Sequence, residues 1–235
     1  MFFVGEYRNF AYNGKEEVID LKRLVILGII LFLAACSVEE NENKTNKITD
    51  ESTKPEIELV EVTEHTALIE WGSDAMDRGN HDYYTLAHSE LVVELGYSEL
   101  KRGDVIYYKT PEEAIERNSK LPEHYIARVV GLPGETVEIK AGQVFINGKI
   151  LDTFYAKATM YGMDEEEYFE KTDKSTIVDL EATKDYFATT MDPVDVIEGS
   201  IFVLVDQWWR GTDSREFGVL LQDSVEGRVL GYSKK

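Results

Sequence analysis

Tyr125-Ile126-Ala127-Arg128-Val129-Val130-Gly131-Leu132-Pro133-Gly134-Glu135 is an apolar, β-branched run closed by a Pro-Gly pair. Residues 125–130 read as a strand, and Pro133-Gly134 marks where it must end. Downstream, Val137-Glu138-Ile139 and Val144-Phe145-Ile146 are two more strands, and Asn147-Gly148 is a hairpin-type turn signal. Ile201 to Val205 form a further apolar strand. Upstream, Gly103-Asp104 punctuate the start of Val105-Ile106-Tyr107-Tyr108. Leu91-Val92-Val93-Glu94, Thr66-Ala67-Leu68-Ile69-Glu70 and Glu58-Leu59-Val60-Glu61-Val62 continue the pattern towards the N-terminus. Residues 111–120, 164–171 and 180–191 break it as short, acidic surface helices. Many short strands with few helices predict a mostly β fold, Greek-key or barrel-like.

Composition narrows the function. The chain has 235 residues, 43% of them hydrophobic, enough for one or two small domains with a core. The net charge is −20, and the whole excess falls beyond residue 36. Such a surface repels nucleic acid and anionic headgroups, so no nucleic-acid partner is expected. The single cysteine, Cys36, excludes an intrachain disulfide framework. No Cys/His spacing suggests zinc, no glycine-rich nucleotide motif occurs, and no cofactor is expected. Asp77, Asn80, His81, Asp82 and His88 could offer metal ligands in one loop, but a solvated polar loop accounts for them and no metal is assigned.

The N-terminal region divides into three parts. Lys22-Arg23 precede a purely apolar run from Leu24 to Ala35, the size of a signal-peptide core and too short to cross a bilayer. It ends Leu33-Ala34-Ala35-Cys36, which resembles the lipobox of bacterial lipoproteins. The resemblance implies a signal peptide over 21–35, lipidation of Cys36, and an anchor on the outer face of the cytoplasmic membrane. Residues 36–56 carry that Cys and then Glu, Asn, Thr, Lys and Ser with almost no large apolar groups, so a disordered acidic tether is expected. Twenty such residues reach about 25 Å r.m.s.. Residues 1–20 are mixed in charge and lack a basic leader. Glu16-Glu17-Val18 can be encoded by a sequence containing a ribosome-binding site, so we expect translation to begin at Leu21. The folded domain is then 57–235.

Three blocks carry a family resemblance. Lys101-Arg102-Gly103-Asp104-Val105-Ile106-Tyr107-Tyr108 resembles the Arg-Gly-Asp-hydrophobic strand of type I signal peptidases. The stretch from Tyr125 to Glu135 resembles their Lys-Arg-Val-x-Gly-x-Pro-Gly-Asp block, and residues 142–149 their Gly-x-x-x-Ile-Asn-Gly-Lys hairpin. Val205-Asp206-Gln207-Trp208-Trp209-Arg210-Gly211-Thr212-Asp213-Ser214-Arg215-Glu216-Phe217-Gly218 aligns without gaps to Gly-Asp-Asn-Arg-x-Asn-Ser-x-Asp-Ser-Arg-x-x-Gly. The resemblance implies the β architecture shared by LexA and signal peptidases, a serine endopeptidase ancestry, and a groove that takes extended peptides. It also implies structural support of the site by Asp206, Asp213, Ser214 and Arg215.

The catalytic positions depart from that pattern. The family's Ser-Met-x-Pro-Thr block matches Asp74-Ala75-Met76-Asp77-Arg78-Gly79, which puts Ala75 at the nucleophile. Ala127 stands at the general-base lysine, and Gly211 where a serine would hydrogen-bond that lysine. A Ser–Lys peptidase needs an oxygen nucleophile and a desolvated amine, and alanine supplies neither. Arg128 cannot replace the base, because a guanidinium keeps its proton. Ser73, two residues away, is the candidate displaced nucleophile, with Lys101, Lys109, Lys149 or Lys157 as its base. Trp208 and Trp209 replace polar family residues, either as packing groups or as an aromatic recognition surface, and Asp164-Glu165-Glu166-Glu167-Tyr168-Phe169-Glu170 reads as a solvated helix face.

The expectation is a catalytically silent, membrane-anchored lipoprotein that binds an extended peptide, a preprotein or a secretion partner. Its rivals are an active signal peptidase centred on Ser73 and a structural acidic surface lipoprotein. The start site has its own check. N-terminal sequencing of the unprocessed precursor should find no product containing Phe2-Phe3-Val4, and finding one rules out initiation at Leu21.

Overall fold

The computed structural model describes residues 46–55, 58–71, 75–76 and 90–234. Thirteen strands, four short α-helices and two 3-10 turns are defined among them. β6 (His124–Gly131) and β11 (Ser200–Leu204) are the centre of the fold. They pair antiparallel, Val203 with Val129 and Leu204 with Arg128. Both faces of this pair are buried: Val129 and Val203 belong to one hydrophobic cluster, Val130, Phe202 and Leu204 to another. Alternate strand residues point to opposite faces. A strand buried on both faces is apolar except where a charge is paired, which is why residues 125–132, Arg128 apart, and 201–205 are hydrophobic runs rather than alternating ones.

The larger sheet has eight strands. Its order is β12 (Leu220–Leu221), β11, β6, β5 (Val105–Lys109), β13 (Val225–Ser233), β4 (Leu91–Leu95) and β3 (Thr66–Ile69), with β2 (Leu59–Val60) paired to β13. The second sheet has five strands, in the order β1 (Lys47–Thr49), β9 (Lys149–Asp152), β8 (Gln143–Ile146), β7 (Thr136–Lys140) and β10 (Met191–Asp195). The helices α1 (Glu112–Arg117), α2 (Glu165–Lys171), α3 (Leu180–Phe187) and α4 (Ser214–Phe217) decorate the sheets. Asp164 and Asp179 cap α2 and α3 by accepting from the backbone N–H of Glu167 and Ala182. The expected mostly β architecture with short helices is what the structure has.

Two expectations need correction. The third helix stops at Phe187, because Met191 already pairs with Ile139 in β10. The disordered tether was expected to run through residue 56, yet residues 46–55 are held on the domain. Lys47, Ile48 and Thr49 pair in parallel with Ile150, Leu151 and Asp152, and Ile48 packs on the second cluster. Asp50 then accepts from the Ser52 and Thr53 amides and from the Tyr155 hydroxyl. Backbone pairing and one buried partner hold a segment whose own composition could not. The leader, the apolar run, Cys36 and the rest of the tether lie outside the described residues.

Five strands were not read from the sequence: β1, β9, β10, β12 and β13. β13 matters most. It pairs with β5 over Val225–Arg228, with β4 over Gly227–Tyr232, and with β2 at Tyr232 and Ser233. Because β4 holds one edge to Tyr232, β2 must take over the edge that β5 leaves. Gly227 and Gly231 hid this strand, since glycine ordinarily weakens one. Here it is required: a Cβ on Gly227 would lie 2.5 Å from the Glu94 carbonyl oxygen and 2.7 Å from Val93 Cγ1. Gly227→Ala should therefore destabilise the domain by about 1–3 kcal/mol through overpacking. Urea unfolding followed by far-UV circular dichroism checks this, and an unchanged midpoint contradicts the close approach.

Candidate functional site

β6 brings the site together. Tyr125 and Ala127 face one side of it, Ile126 and Arg128 the other. On the first side lie Ala75 and Gly211. A Cβ built on Gly211 would be 3.0 Å from Ala75 Cβ, 3.0 Å from Tyr125 Oη and 2.9 Å from Val205 Cγ1. Gln207 N donates to the Ala75 carbonyl at 2.7 Å, fixing Ala75 against the residues that follow β11. Ala75 is 5% exposed and Ala127 fully buried. Ala75 and Gly211 thus adjoin beside the Tyr125 hydroxyl, Ala127 is buried in the same hydrophobic cluster as Ala75, and the three residues carry no hydroxyl and no amine. Tyr125 fills space beside them, edge-on to Trp71 at 5.8 Å and to Tyr108 at 6.4 Å. Burial pushes both tyrosine hydroxyls above their ordinary value. For Tyr125 a hydrogen bond with the Thr212 backbone offsets part of the rise.

The other side of β6 opens into a cleft of about 620 Å³, lined among others by Met76, Leu91, Val105, Ile126, Arg128 and Tyr232. β6 is also paired unevenly among the described strands. β5 follows it from His124 to Arg128, whereas β11 covers only Arg128, Val129 and Gly131 on its second edge. No described strand pairs the second edge at 124–127.

Two buried ion pairs stiffen this region. Arg128 Nε and Nη2 donate to the two Asp206 carboxylate oxygens at 2.8 and 2.6 Å, while Nη1 donates to the Gly103 carbonyl at 2.7 Å. The guanidinium also lies 5.1 Å from the ring centroids of Phe154 and Tyr155. Asp213 accepts from Arg215 Nε at 2.8 Å and from the Val205 amide at 3.0 Å, and it caps α4 in a capping box with Glu216. Burial disfavours the Arg215 cation, but the Asp213 charge and hydrogen bonds outweigh it and hold the guanidinium above its ordinary value. Burial, together with the Asp213 charge, pushes the Glu216 carboxyl up. Ser214 Oγ accepts from the Val203 amide at 2.9 Å. Asp206 therefore serves Arg128, and Asp213 with Ser214 serves Arg215 and β11.

Trp208 is buried beneath the Arg215 guanidinium, at 5.3 Å, so it packs rather than presenting an aromatic surface. Trp209 is half-buried beside the Tyr161 ring at 5.5 Å. Lys101, Lys109, Lys149 and Lys157 are all exposed, so none is a desolvated amine. Ser73, Asp74, Asp77, Asn80, His81, Asp82 and His88 lie outside the described residues, and among the described residues no group of three or more His, Cys, Asp or Glu side chains could hold a metal. Arg102 was missed as a site residue: it donates to the Val130 carbonyl and to Glu135 at 2.6 Å, locking the turn after β6. An Arg-Gly-Asp followed by a Gly-x-Pro-Gly-Glu turn was its only sequence signal.

Comparison with known proteins gives the family. The model for "Signal peptidase, peptidase S26" matches residues 21–232, and the chain belongs to that family. A signal peptidase I of Bacillus licheniformis is 32% identical over 160 residues, covering 68% of this chain and 70% of its own. Signal peptidase I T of Bacillus subtilis (strain 168) is 32% identical over 157 residues, covering 66% of this chain and 64% of its own. A crystal structure of a signal peptidase I from Enterococcus faecalis V583 aligns with 30% identity and a TM-score of 0.35, over 55% of this chain and 96% of that one.

The Arg128–Asp206 pair yields a stability test. Asp206→Ala leaves a buried, uncompensated guanidinium and should cost about 3–5 kcal/mol. Combining it with Arg128→Met should recover most of that loss. Chemical denaturation of the three proteins checks both steps, and a double mutant no more stable than Asp206→Ala contradicts the account.

Proposed function

We propose that this chain is a non-catalytic member of the signal peptidase family, anchored by lipid on Cys36 to the outer face of the cytoplasmic membrane. It binds an extended peptide, such as a preprotein segment or a strand of a secretion partner. The observation that carries this reading is that the family's catalytic positions hold Ala75, Ala127 and Gly211, Ala75 and Gly211 packing at the Tyr125 hydroxyl, while β6 keeps an edge that no described strand pairs and lines an open cleft with its other face. Strand addition needs only the edge and pockets for alternate side chains, not a nucleophile. A peptide laid along the second edge of 124–127 would pair with β6 and reach towards Ile126 on one face and Ala127 on the other. The chain's Leu33-Ala34-Ala35-Cys36 supports the anchor.

Chemistry is the direct test. The purified full chain in detergent should leave a preprotein with an Ala-x-Ala site uncut, and Ser73→Ala should change nothing. Wild-type cleavage that Ser73→Ala abolishes would show a displaced nucleophile and an active peptidase. Metabolic labelling with a radioactive fatty acid should mark the wild type and not Cys36→Ser; equal labelling sinks the anchor. If the full chain binds no signal-sequence peptide saturably, the structural surface-protein reading takes its place.

A further inference from the structure

The stalk that leads into the domain does more than connect it. Residues 46–55 are fastened at two places. The first is β1, whose three residues extend the second sheet by pairing with β9, with Ile150 N donating to the Asn46 carbonyl at 3.0 Å. Lys47 adds an ion pair to Asp152 at 2.9 Å. The second is Asp50. Its carboxylate accepts from the Tyr155 hydroxyl at 2.9 Å and from Ser52 Oγ at 2.7 Å. Burial raises the Asp50 pKa, but hydrogen bonds from Thr53, Ser52 and Tyr155 outweigh it and hold the carboxyl below its ordinary value. The fit against the domain is tight: a Cβ on Gly103 would collide with Thr53 Oγ1 and lie 2.5 Å from Asp50 Oδ2.

Past this fastening the stalk forms one wall of the cleft. Ser52, Lys54, Pro55 and Glu58 line it opposite Ile126 and Arg128. The cleft stays open with the stalk in place, so the stalk bounds the space rather than filling it. Tyr155, which holds Asp50, is the same ring that packs on the Arg128 guanidinium. We infer that residues 46–55, with Glu58, are part of the peptide-binding site, so that docking of the stalk and occupation of the cleft by an extended peptide reinforce each other. The inference rests on the peptide reading above. A ligand that touches Ser52, Lys54 or Pro55 binds the docked form better than the undocked one. By linkage it must then tighten the stalk's hold, and the docked stalk must tighten the ligand's. The fastening suits such a role: a three-residue strand and one carboxylate are a small unit that opens locally before the domain unfolds.

The experiment uses the full chain in detergent and a fluorescent peptide carrying an Ala-x-Ala segment. Hydrogen exchange at the Ile150 amide reports docking without any ligand, because that amide donates to the stalk. Asp50→Ala removes the carboxylate; Tyr155→Phe removes its donor and keeps the ring over Arg128. Both variants should speed exchange at Ile150 and weaken peptide binding about fivefold or more. Saturating peptide should slow that exchange in the wild type. Unchanged exchange in both variants overturns the assigned fastening. Faster exchange with equal or tighter binding overturns the cooperative wall and makes the stalk a bystander or a competitor. Binding to no form, with the exchange difference intact, overturns the peptide reading and the coupling together, a result separable from the other two.

Discussion

The buried pair between Arg128 and Asp206 is the interaction on which the geometry around the cleft depends. A guanidinium in the interior is tolerable only if its charge is paired and its donors are used. Arg128 meets both needs with the two Asp206 oxygens and the Gly103 carbonyl. In doing so it joins β6 to the end of β11 and to the turn before β5. Its flat faces rest on Phe154 and Tyr155, and Tyr155 in turn holds Asp50. One side chain thus links both sheets, the cleft and the incoming stalk.

Beside this support, the residues at 75 and 211 are tightly packed. Gly211 lies against Ala75, Val205 and the Tyr125 hydroxyl so closely that a side chain there would need its neighbours to move. The local packing therefore favours glycine at this position. The Asp213–Arg215 and Arg128–Asp206 pairs brace the strands around Ala75 and Gly211. Fold and chemistry are separable in this way because sites are grafted onto folds rather than dictated by them.

Much of the architecture could be read from local pattern. The continuous apolar runs at 125–130 and 201–205 announced central strands, and the Asn147-Gly148 pair announced its hairpin. What escaped was structure held by distant partners. β13 contains Gly227 and Gly231, which local rules count against a strand, yet the Glu94 carbonyl approaches too closely for any other residue at 227. β1 lies in a polar stretch that cannot bury enough surface alone. It forms because β9 offers an open edge and Tyr155 a hydroxyl.

For the candidate site the division is similar. The family, and the residue types at 75, 127 and 211, belong to the sequence alone, because they depend on motif order and not on coordinates. The packing of Gly211 against Ala75, the assignment of Asp206 to Arg128 rather than to Arg215, and the recruitment of the stalk as a cleft wall were decided only by tertiary structure. Each is a contact between segments far apart in the chain, and the spacing of residues along one segment carries no record of which distant partner its polar groups will meet.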